Sequence, residues 1–384
     1  MRVAYDARMA TWGGIGTYSL ELLRALGTLS GEADVSLLVL RSPEDDFLES
    51  LPELAGASWR VVAGKPWSLR GSLEAGFAAR NRADLYHVPH VTMPTGFRGP
   101  LVATVHDIRP LILPATMPGL HKRAAFRLAV NETVRRAAVV LADSRHTAAT
   151  LYAHGFSPRR LQIVPLGVDP RFRPQPPGCS GRTPAIPPGT GAYPVDRRLQ
   201  APQERGDTGP GLLPAARRDP GAACPRAGGG DGSSRSAAVR ALAADLLRHD
   251  GDRVVFPGYV AAADLPALYT DAVLYVFPST FEGFGLPLLE AAACATPVVA
   301  SISPPLPEVI GDAAAYFDPH DVDQLTATLR GLIEDPDRRR DLAARGRARS
   351  RCFRWETAAA RTLEAYRGAL SEEGRAAKRP ERRR

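Results

Sequence analysis

Apolar positions along the first 170 residues come in short solid runs, separated by stretches where they recur every three or four residues. The opening "MRVAYD" is a run suited to a buried parallel strand. After "GGIG", residues Leu22, Leu23, Leu26 and Leu29 follow helical spacing. The same alternation predicts strands at 34–40, 59–63, 84–88, 101–105 and 139–143, helices over 70–82, 119–137 and 144–154, and a closing segment at 160–169. Parallel pairing demands a covering crossover, so strands separated by helices predict a doubly wound α/β unit over 1–170.

The pattern returns with the amphipathic helix "SRSAAVRALAADLLRHD" at 233–249. Strands follow at 253–256 and 273–277, then a helix from Phe284 to Ala295 and a strand at 297–301. Helices at 321–334, 337–350 and 355–370 finish the chain. These elements make a second α/β unit over 233–352, a C-terminal helix over 353–370 and a basic tail over 371–384.

Residues 171–232 interrupt both patterns. The stretch "PVDRRLQAPQERGDTGP" at 194–210 has no apolar period. Residues 173–235 hold 12 of the chain's 35 Pro and 12 of its 35 Gly, a density associated with unstructured sequence. A loop this long inside a compact domain counts against native design.

Length and composition permit two domains with full cores: 384 residues, 44% hydrophobic. No run of 18 apolar residues occurs, and the N-terminus lacks the apolar region of a signal peptide, which points to the cytoplasm. The net charge of +8 raises nucleic acid and membrane as partners. Nearly all basic residues are Arg, with Lys only at Lys65, Lys122 and Lys378, a bias that GC-rich codons produce. Part of the charge lies in the tail "GRAAKRPERRR", which reads as a solvated, disordered end. The sharper reading of the tail is peripheral contact with anionic lipid at the inner face of the membrane, about 1 kcal/mol per Lys or Arg. No RNP, zinc-finger or basic-zipper signature supports nucleic acid. Cys179, Cys224, Cys294 and Cys352 form no C-x-x-C pair, and no carboxylate cluster marks a divalent metal site.

Chemistry concentrates in "PSTFEGFGLPLLEAAACATPVVAS" at 278–301. Glu282 falls in the loop after a strand, and Glu290, eight residues on, falls within the following helix. Phe284 and Gly285 place backbone N–H groups at that helix's N-terminus, where unpaired amides and the dipole favour an anion. Open α/β sheets bind ligands in the crevice at the carboxyl ends of their strands. A carboxylate in the helix suits ribose hydroxyls there, and one in the loop suits a sugar. An arbitrary E-x7-E is a surface pair around a packing turn. Here Pro278, Gly283, Gly285, Pro287 and Pro297 surround it in fixed order.

With these residues the sequence resembles glycosyltransferase family 4, retaining enzymes of the GT-B fold, over 1–172 and 233–370. The segment "LPALYTDAVLYVFPSTFEGFGLPLLEAAACATPVVAS", followed by "LPEVIGDAAAYFDP", carries the resemblance. Within the family, "MRVAYDARM", "GGIGTYSLELLRAL", "DLYHVPH" and "VATVHDIRPL" look most like bacterial mannosyltransferases that use GDP-mannose. The resemblance implies two facing Rossmann-like, doubly wound parallel-sheet domains with a donor cleft between them. It also implies a C-terminal helix crossing back to the first domain. The implied activity is transfer of a hexose, mannose above all, from a nucleotide-sugar donor to a glycan or lipid-linked acceptor in polysaccharide biosynthesis. No cofactor and no metal are implied.

Roles carry over residue by residue. Glu282 would contact the donor sugar's hydroxyls and face the reacting carbon, and Glu290 would bind the nucleotide ribose. The backbone around Phe284, Gly285 and Leu286 would meet the diphosphate. Gly13, Gly14 and Gly16 would form an N-terminal glycine loop that lets backbone approach phosphate and acceptor. "GGIGTY" does not fit G-x-G-x-x-G, which argues against NAD. His106 would stand beside the sugar as a catalytic residue. Outside the "TVHD" context, a His at a strand end is more often a satisfied structural residue. Arg145 in "ADSRHTA" reaches phosphate or faces solvent, and both readings stay open. Ala295 stands where the family usually has Gly, which perturbs a helix end.

The family begins its second domain with a strand, an "HKN"-type loop whose Lys grips phosphate, and a helix; the sequence as written lacks them. Read one nucleotide later, codons for Pro194–Pro210 permit "LSIGDYKPHKNVETLVR". In that frame Gln200 and Gln203 must become Lys or Arg, and Glu204 becomes Asn or Ser where Arg205 has a CGN codon. Ala222–Ala227 permit a second buried strand. Residues from 175 to 230 therefore read as a frameshifted domain start, the alternative being a genuine Pro/Gly-rich linker. The chain as written is expected to be coil there, with a gap in the second sheet. Two other functions share the architecture: a nucleotide-sugar 2-epimerase, and a GT-B scaffold inactive because the Lys loop is missing.

Overall fold

The computed structural model describes residues 1–176, 192–195, 224–227 and 260–371. The helix expected at 233–249, the strand at 253–256 and the tail beyond 371 lie outside the described residues. The chain divides into two units, Met1–Gly167 with the segment from Phe353, and Val168–Cys352. Among the described residues no helix is long and apolar enough to cross a membrane.

Unit 1 is built on seven parallel strands. They are β1 (Arg2–Asp6), β2 (Ser36–Arg41), β3 (Ser58–Val61), β4 (Leu85–Val88), β5 (Leu101–Val105), β6 (Val139–Ala142) and β7 (Leu161–Ile163). Their order across the sheet is β3-β2-β1-β4-β5-β6-β7, which reverses direction of growth between β1 and β4. Helices α1 (Gly13–Ala33), α2 (Leu69–Ala79), α4 (Leu120–Arg136) and α5 (Arg145–Ala153) lie where the periodicity predicts them. The short α3 (Arg109–Ile112) spans one turn, too little for a period to register. Every residue of β4, β5 and β6 is buried, because helices cover both faces of a doubly wound sheet. Ser68 and Ser144 start α2 and α5 by accepting the amides of Gly71 and Thr147 on their hydroxyls.

Unit 2 holds β8 (Ala192–Val195), β9 (Cys224–Ala227), α6 (Leu265–Thr270), β10 (Tyr275–Phe277), α7 (Leu286–Ala293), β11 (Val298–Ser301), α8 (Leu306–Ile310), β12 (Ala314–Phe317), α9 (Val322–Glu334) and α10 (Pro336–Ser350). Its parallel sheet runs β12-β11-β10-β8-β9, so the reversal falls between β8 and β10. Leu274, Val276, Val299 and Phe317 of the sheet region pack with Leu325 and Leu332 of α9 and Leu342 of α10.

Two strands stand where coil and a gap were expected. β8 pairs with β9 over four residues, from Ala192↔Cys224 to Val195↔Ala227, and meets β10 at Val276↔Val195. Strand pairing is a backbone interaction, available to segments whose side chains show no period. Without these strands the buried β10 would end the sheet with unpaired N–H and C=O groups. Pro194 and Pro225 each withhold one donor from the ladder, which is why this segment does not read as a strand. The β9 position coincides with the second strand that the shifted frame permits at 222–227.

The final helix, α11 (Trp355–Leu370), belongs to unit 1 and packs along α1. It buries Ala358, Ala359, Leu363, Tyr366 and Ala369. Small residues at three of those positions allow close helix approach.

Candidate active site

In unit 2 the chain leaves β10, beside the sheet's reversal, and runs through Pro278–Gly285 into α7. The carboxyl end of a strand at such a reversal is where open α/β sheets take ligands. Glu282 is only 4% exposed, and its Oε1 accepts the Ser279 hydroxyl at 2.9 Å. Ser301 at the end of β11 donates to the Ser279 carbonyl at 2.5 Å, tying the loop to the neighbouring strand. Gly285 caps α7 with φ +94, and a Cβ there would lie 2.7 Å from Leu306 Cδ2. Only glycine meets both conditions. The Gly285 and Leu286 amides form no hydrogen bond among the described residues, and Phe284 beside them is buried. Glu290, half-buried and just over one turn into α7, accepts the Tyr269 hydroxyl at 3.3 Å. Tyr269 is held edge-on to Tyr275 with centroids 5.3 Å apart.

Helix α7 ends at Ala295, whose φ is +60. The Ala295 amide donates to the Ala292 carbonyl and the Thr296 amide to the Ala291 carbonyl, a Schellman closure. The position favours glycine, so the Ala found here is the strained choice.

In unit 1 the glycines expected to form a loop are instead the first turn of α1. Gly13 has φ +52, and Gly16 presses so close to the preceding turn that a Cβ would lie 2.5 Å from the Ala10 carbonyl oxygen. The Gly14 and Ile15 amides have no partner among the described residues. Helical geometry wins because Gly16 donates to the Trp12 carbonyl, closing the turn.

His106 follows β5 and has both ring nitrogens engaged. Nε2–H donates to the Pro89 carbonyl at 2.9 Å, and Nδ1 meets Asp143 Oδ2 at 2.6 Å. Burial works against its charge, but the attraction of the Asp143 carboxylate and the hydrogen bond to it prevail, raising its pKa above the ordinary value. A singly protonated ring has one N–H for two acceptors, so only the imidazolium satisfies both the Pro89 carbonyl and an ionised Asp143; burial raises the pKa of Asp143 as well. Tyr18 packs edge-on to the ring at 4.5 Å, and His90 stacks parallel to it at 6.1 Å. In this arrangement His106 has no nitrogen to spare for a sugar hydroxyl. Arg145 is exposed at the first position of α5.

The sequence motifs bring together Glu282, Phe284, Gly285, Leu286 and Glu290 on one loop and one helix. They give no sign of Asp143, Ser279 or Tyr269, the residues that hold His106, Glu282 and Glu290. Only the "ADS" at the end of β6, just ahead of the capping Ser144, hints that Asp143 stands at a strand's carboxyl end. Among the described residues no group of three or more His, Cys, Asp or Glu is placed to hold a metal ion.

Known proteins resemble this chain in sequence and fold. Residues 12–172 match the family described as Glycosyltransferase Family 4, and residues 230–349 match Glycosyl transferases group 1. A D-inositol 3-phosphate glycosyltransferase of Xylanimonas cellulosilytica is 31% identical over 92% of this chain and 91% of its own. The O-antigen chain mannosyltransferase B of Escherichia coli is 47% identical over 109 residues, 28% of this chain and 29% of its own length. The chain thus spans less than a third of that relative. HepE of Anabaena, solved with UDP and glucose, superposes with a TM-score of 0.73 over 96% of this chain and 99% of its own, at 19% identity.

Proposed function

The chain belongs to glycosyltransferase family 4 and has the GT-B fold, and from that premise we propose that it moves mannose from GDP-mannose to a glycan or lipid-linked acceptor with retention of configuration. The observation that carries this reading is the Glu282–Glu290 arrangement around the start of α7. The unpartnered Gly285 and Leu286 amides and the helix dipole receive the diphosphate. Glu290 takes the ribose hydroxyls, and buried Glu282 faces the sugar. No metal is needed in this reading, since amides and cationic side chains stabilise the departing nucleoside diphosphate.

A second reading has its own support. The relative matched over most of the chain is named for inositol 3-phosphate, and HepE was solved with UDP, so a UDP-sugar donor and a phosphorylated acceptor form the alternative. A donor screen decides between them. GDP-mannose, UDP-glucose and UDP-N-acetylglucosamine are incubated with the full chain, and release of free nucleoside diphosphate is measured. The first reading expects GDP release from GDP-mannose; turnover confined to UDP-sugars selects the second, and turnover of none counts against both.

A further inference from the structure

Helix α2 is turned the wrong way round for a surface helix. Its small residues face the core of unit 1: Ala75 and Ala79 pack with Leu38, Leu40 and Val62, and Gly71 and Gly76 are buried too. Its large apolar residues lie outside. Leu69, Leu73 and Phe77, four residues apart, form one stripe, with Leu69 73% and Phe77 53% exposed. A surface helix normally buries such a stripe. Beside it, Val61 at the end of β3 is 54% exposed, and strand and helix together line an open groove of about 850 Å³. Apolar side chains gathered around one groove mark an interaction surface, which scattered exposure does not.

The surroundings say which partner fits. β3 is the last strand of its sheet, and the Val62 amide donates inward to the Arg41 carbonyl, so Trp59 and Val61 turn their backbone groups to the open edge. Arg60 Nη1 already donates to the Trp59 carbonyl at 2.8 Å, which blunts that edge against an added strand. The charged residues lining the groove are Arg70 and Glu74, one of each sign, so it does not attract an anionic lipid surface or a nucleic acid. Glu74 is pinned by the Gly64 amide at 2.8 Å and Arg70 Nε at 2.6 Å, while Arg70 Nη1 and Nη2 make no hydrogen bond among the described residues. A ridge spaced by four residues interlocks with an identical ridge at about −50°. Laid antiparallel on a copy of itself, the stripe sets Leu69 beside Phe77 and Arg70 alongside Glu74, each twice. The face is complementary to itself, as a two-fold contact requires.

We propose that the Leu69–Leu73–Phe77 face of α2, with the groove beside β3, is where two copies of this chain join about a two-fold axis. Leu69 of each copy packs beside Phe77 of the other, Leu73 meets its counterpart near the axis, and the Nη groups of Arg70 reach Glu74 across the seam. The contact lies wholly in unit 1 and stands whether or not the transfer reading holds.

Sedimentation velocity on the full chain at rising concentration tests this, with circular dichroism as the check on fold. The parent chain is expected to pass from monomer to dimer. Leu69→Ala is expected to weaken the dimer about a hundredfold, because a two-fold contact loses the residue twice, at about tenfold each. Leu69 is mostly exposed, so this variant reports on association without disturbing the core. Arg70→Glu and Glu74→Arg are each expected to weaken self-association by setting like charges face to face. Mixed in equal amounts, the two variants bring opposite charges together at both contacts, and a mixed dimer is expected to form. A chain that stays monomeric at every concentration overturns the proposal, as does a dimer unaffected by Leu69→Ala. Failure of the two charge variants to associate on mixing does the same. Binding of phosphatidylglycerol vesicles by a monomeric chain, abolished by Leu69→Ala, assigns the face to a membrane and overturns the proposal as well.

Discussion

Arg8 of unit 1 and Glu282 of unit 2 are both charged side chains taken out of water, 2% and 4% exposed. Arg8 is met on every side. Nε and Nη2 clasp both oxygens of Asp6 at 2.7 and 2.6 Å, and Nη1 donates to the carbonyls of Gly64 and Gly71. Tyr86 adds a hydroxyl to Asp6 at 3.0 Å. Glu282 counts the hydroxyl of Ser279, three residues back, among its partners, and its loop leads to two amides, of Gly285 and Leu286, with no partner among the described residues. A buried charge with all its bonds made locks structure, whereas one beside unmatched donors leaves capacity for a ligand. Arg8 and Asp6 thus tie unit 1 together from within, and Glu282 stands beside amides open to an anion at the start of α7 in unit 2.

The largest effect is expected from breaking the locked pair. Asp6→Ala strands Arg8 in the core and should cost about 3–5 kcal/mol in urea unfolding; a loss under about 1 kcal/mol would show that Gly64 and Gly71 suffice. Glu282→Gln keeps shape and removes charge, so transfer should fall about 10²-fold while the melting temperature stays put. A melt as damaged as the activity would move Glu282 to the structural side of the comparison.

A smaller cost attaches to Tyr366→Phe. The Tyr366 hydroxyl lies 2.6 Å from His87 Nδ1, joining α11 to β4, and its loss leaves a buried nitrogen unpaired, about 1–3 kcal/mol by thermal or urea melt.

pH dependence sharpens the comparison within unit 1. Burial, with a contribution from the charge of His106, holds His87 and His90 at about 3, whereas the unfolded chain protonates them near 6.5. Their contribution to stability is present above about 6.5 and is lost as pH falls toward 3. His106 runs the other way. Its raised pKa gives stability present below about 6.5 and lost as pH rises through the folded value. Asp143→Asn removes the two largest influences that oppose burial and leaves Asp107 and the Pro89 carbonyl, so the His106 ring signals in NMR should titrate at lower pH than in the parent. A titration that does not move would detach Asp143 from the charge of His106.

The smallest effect is a gain. Ala295→Gly relieves a left-handed residue at the end of α7 and should add about 1 kcal/mol to the unfolding free energy. No gain would mean that the Schellman closure tolerates a Cβ without strain.

Much of this molecule is legible in its linear pattern. Solid apolar runs such as "LVATV" and the period of Leu22, Leu23 and Leu26 locate strands and helices, because burial on one side of a helix or on both faces of a strand is written within a few residues. The donor motif is legible for the same reason, since Glu282, Gly285 and Glu290 lie on one loop and the helix it opens. The short helices α3, α6 and α8 escape because no period develops in four to six residues. β8 and β9 escape for a different reason: they are held by backbone pairing in a segment rich in Pro and Gly.

What tertiary structure decided is which distant groups meet. His106 finds Asp143 across 37 residues, Arg8 finds Gly64 across 56, and His87 finds Tyr366 across 279. None of these separations is encoded locally. The order of strands in the sheet places the ends of β4, β5 and β6 side by side, and the return of α11 to unit 1 delivers Tyr366 to β4. The sequence alone determined the elements and the residues at the start of α7, because propensity and periodicity act over one or two turns. The sheet order determined the raised pKa of His106 and the unmatched state of His90 Nδ1, because hydrogen bonding and desolvation depend on neighbours in space.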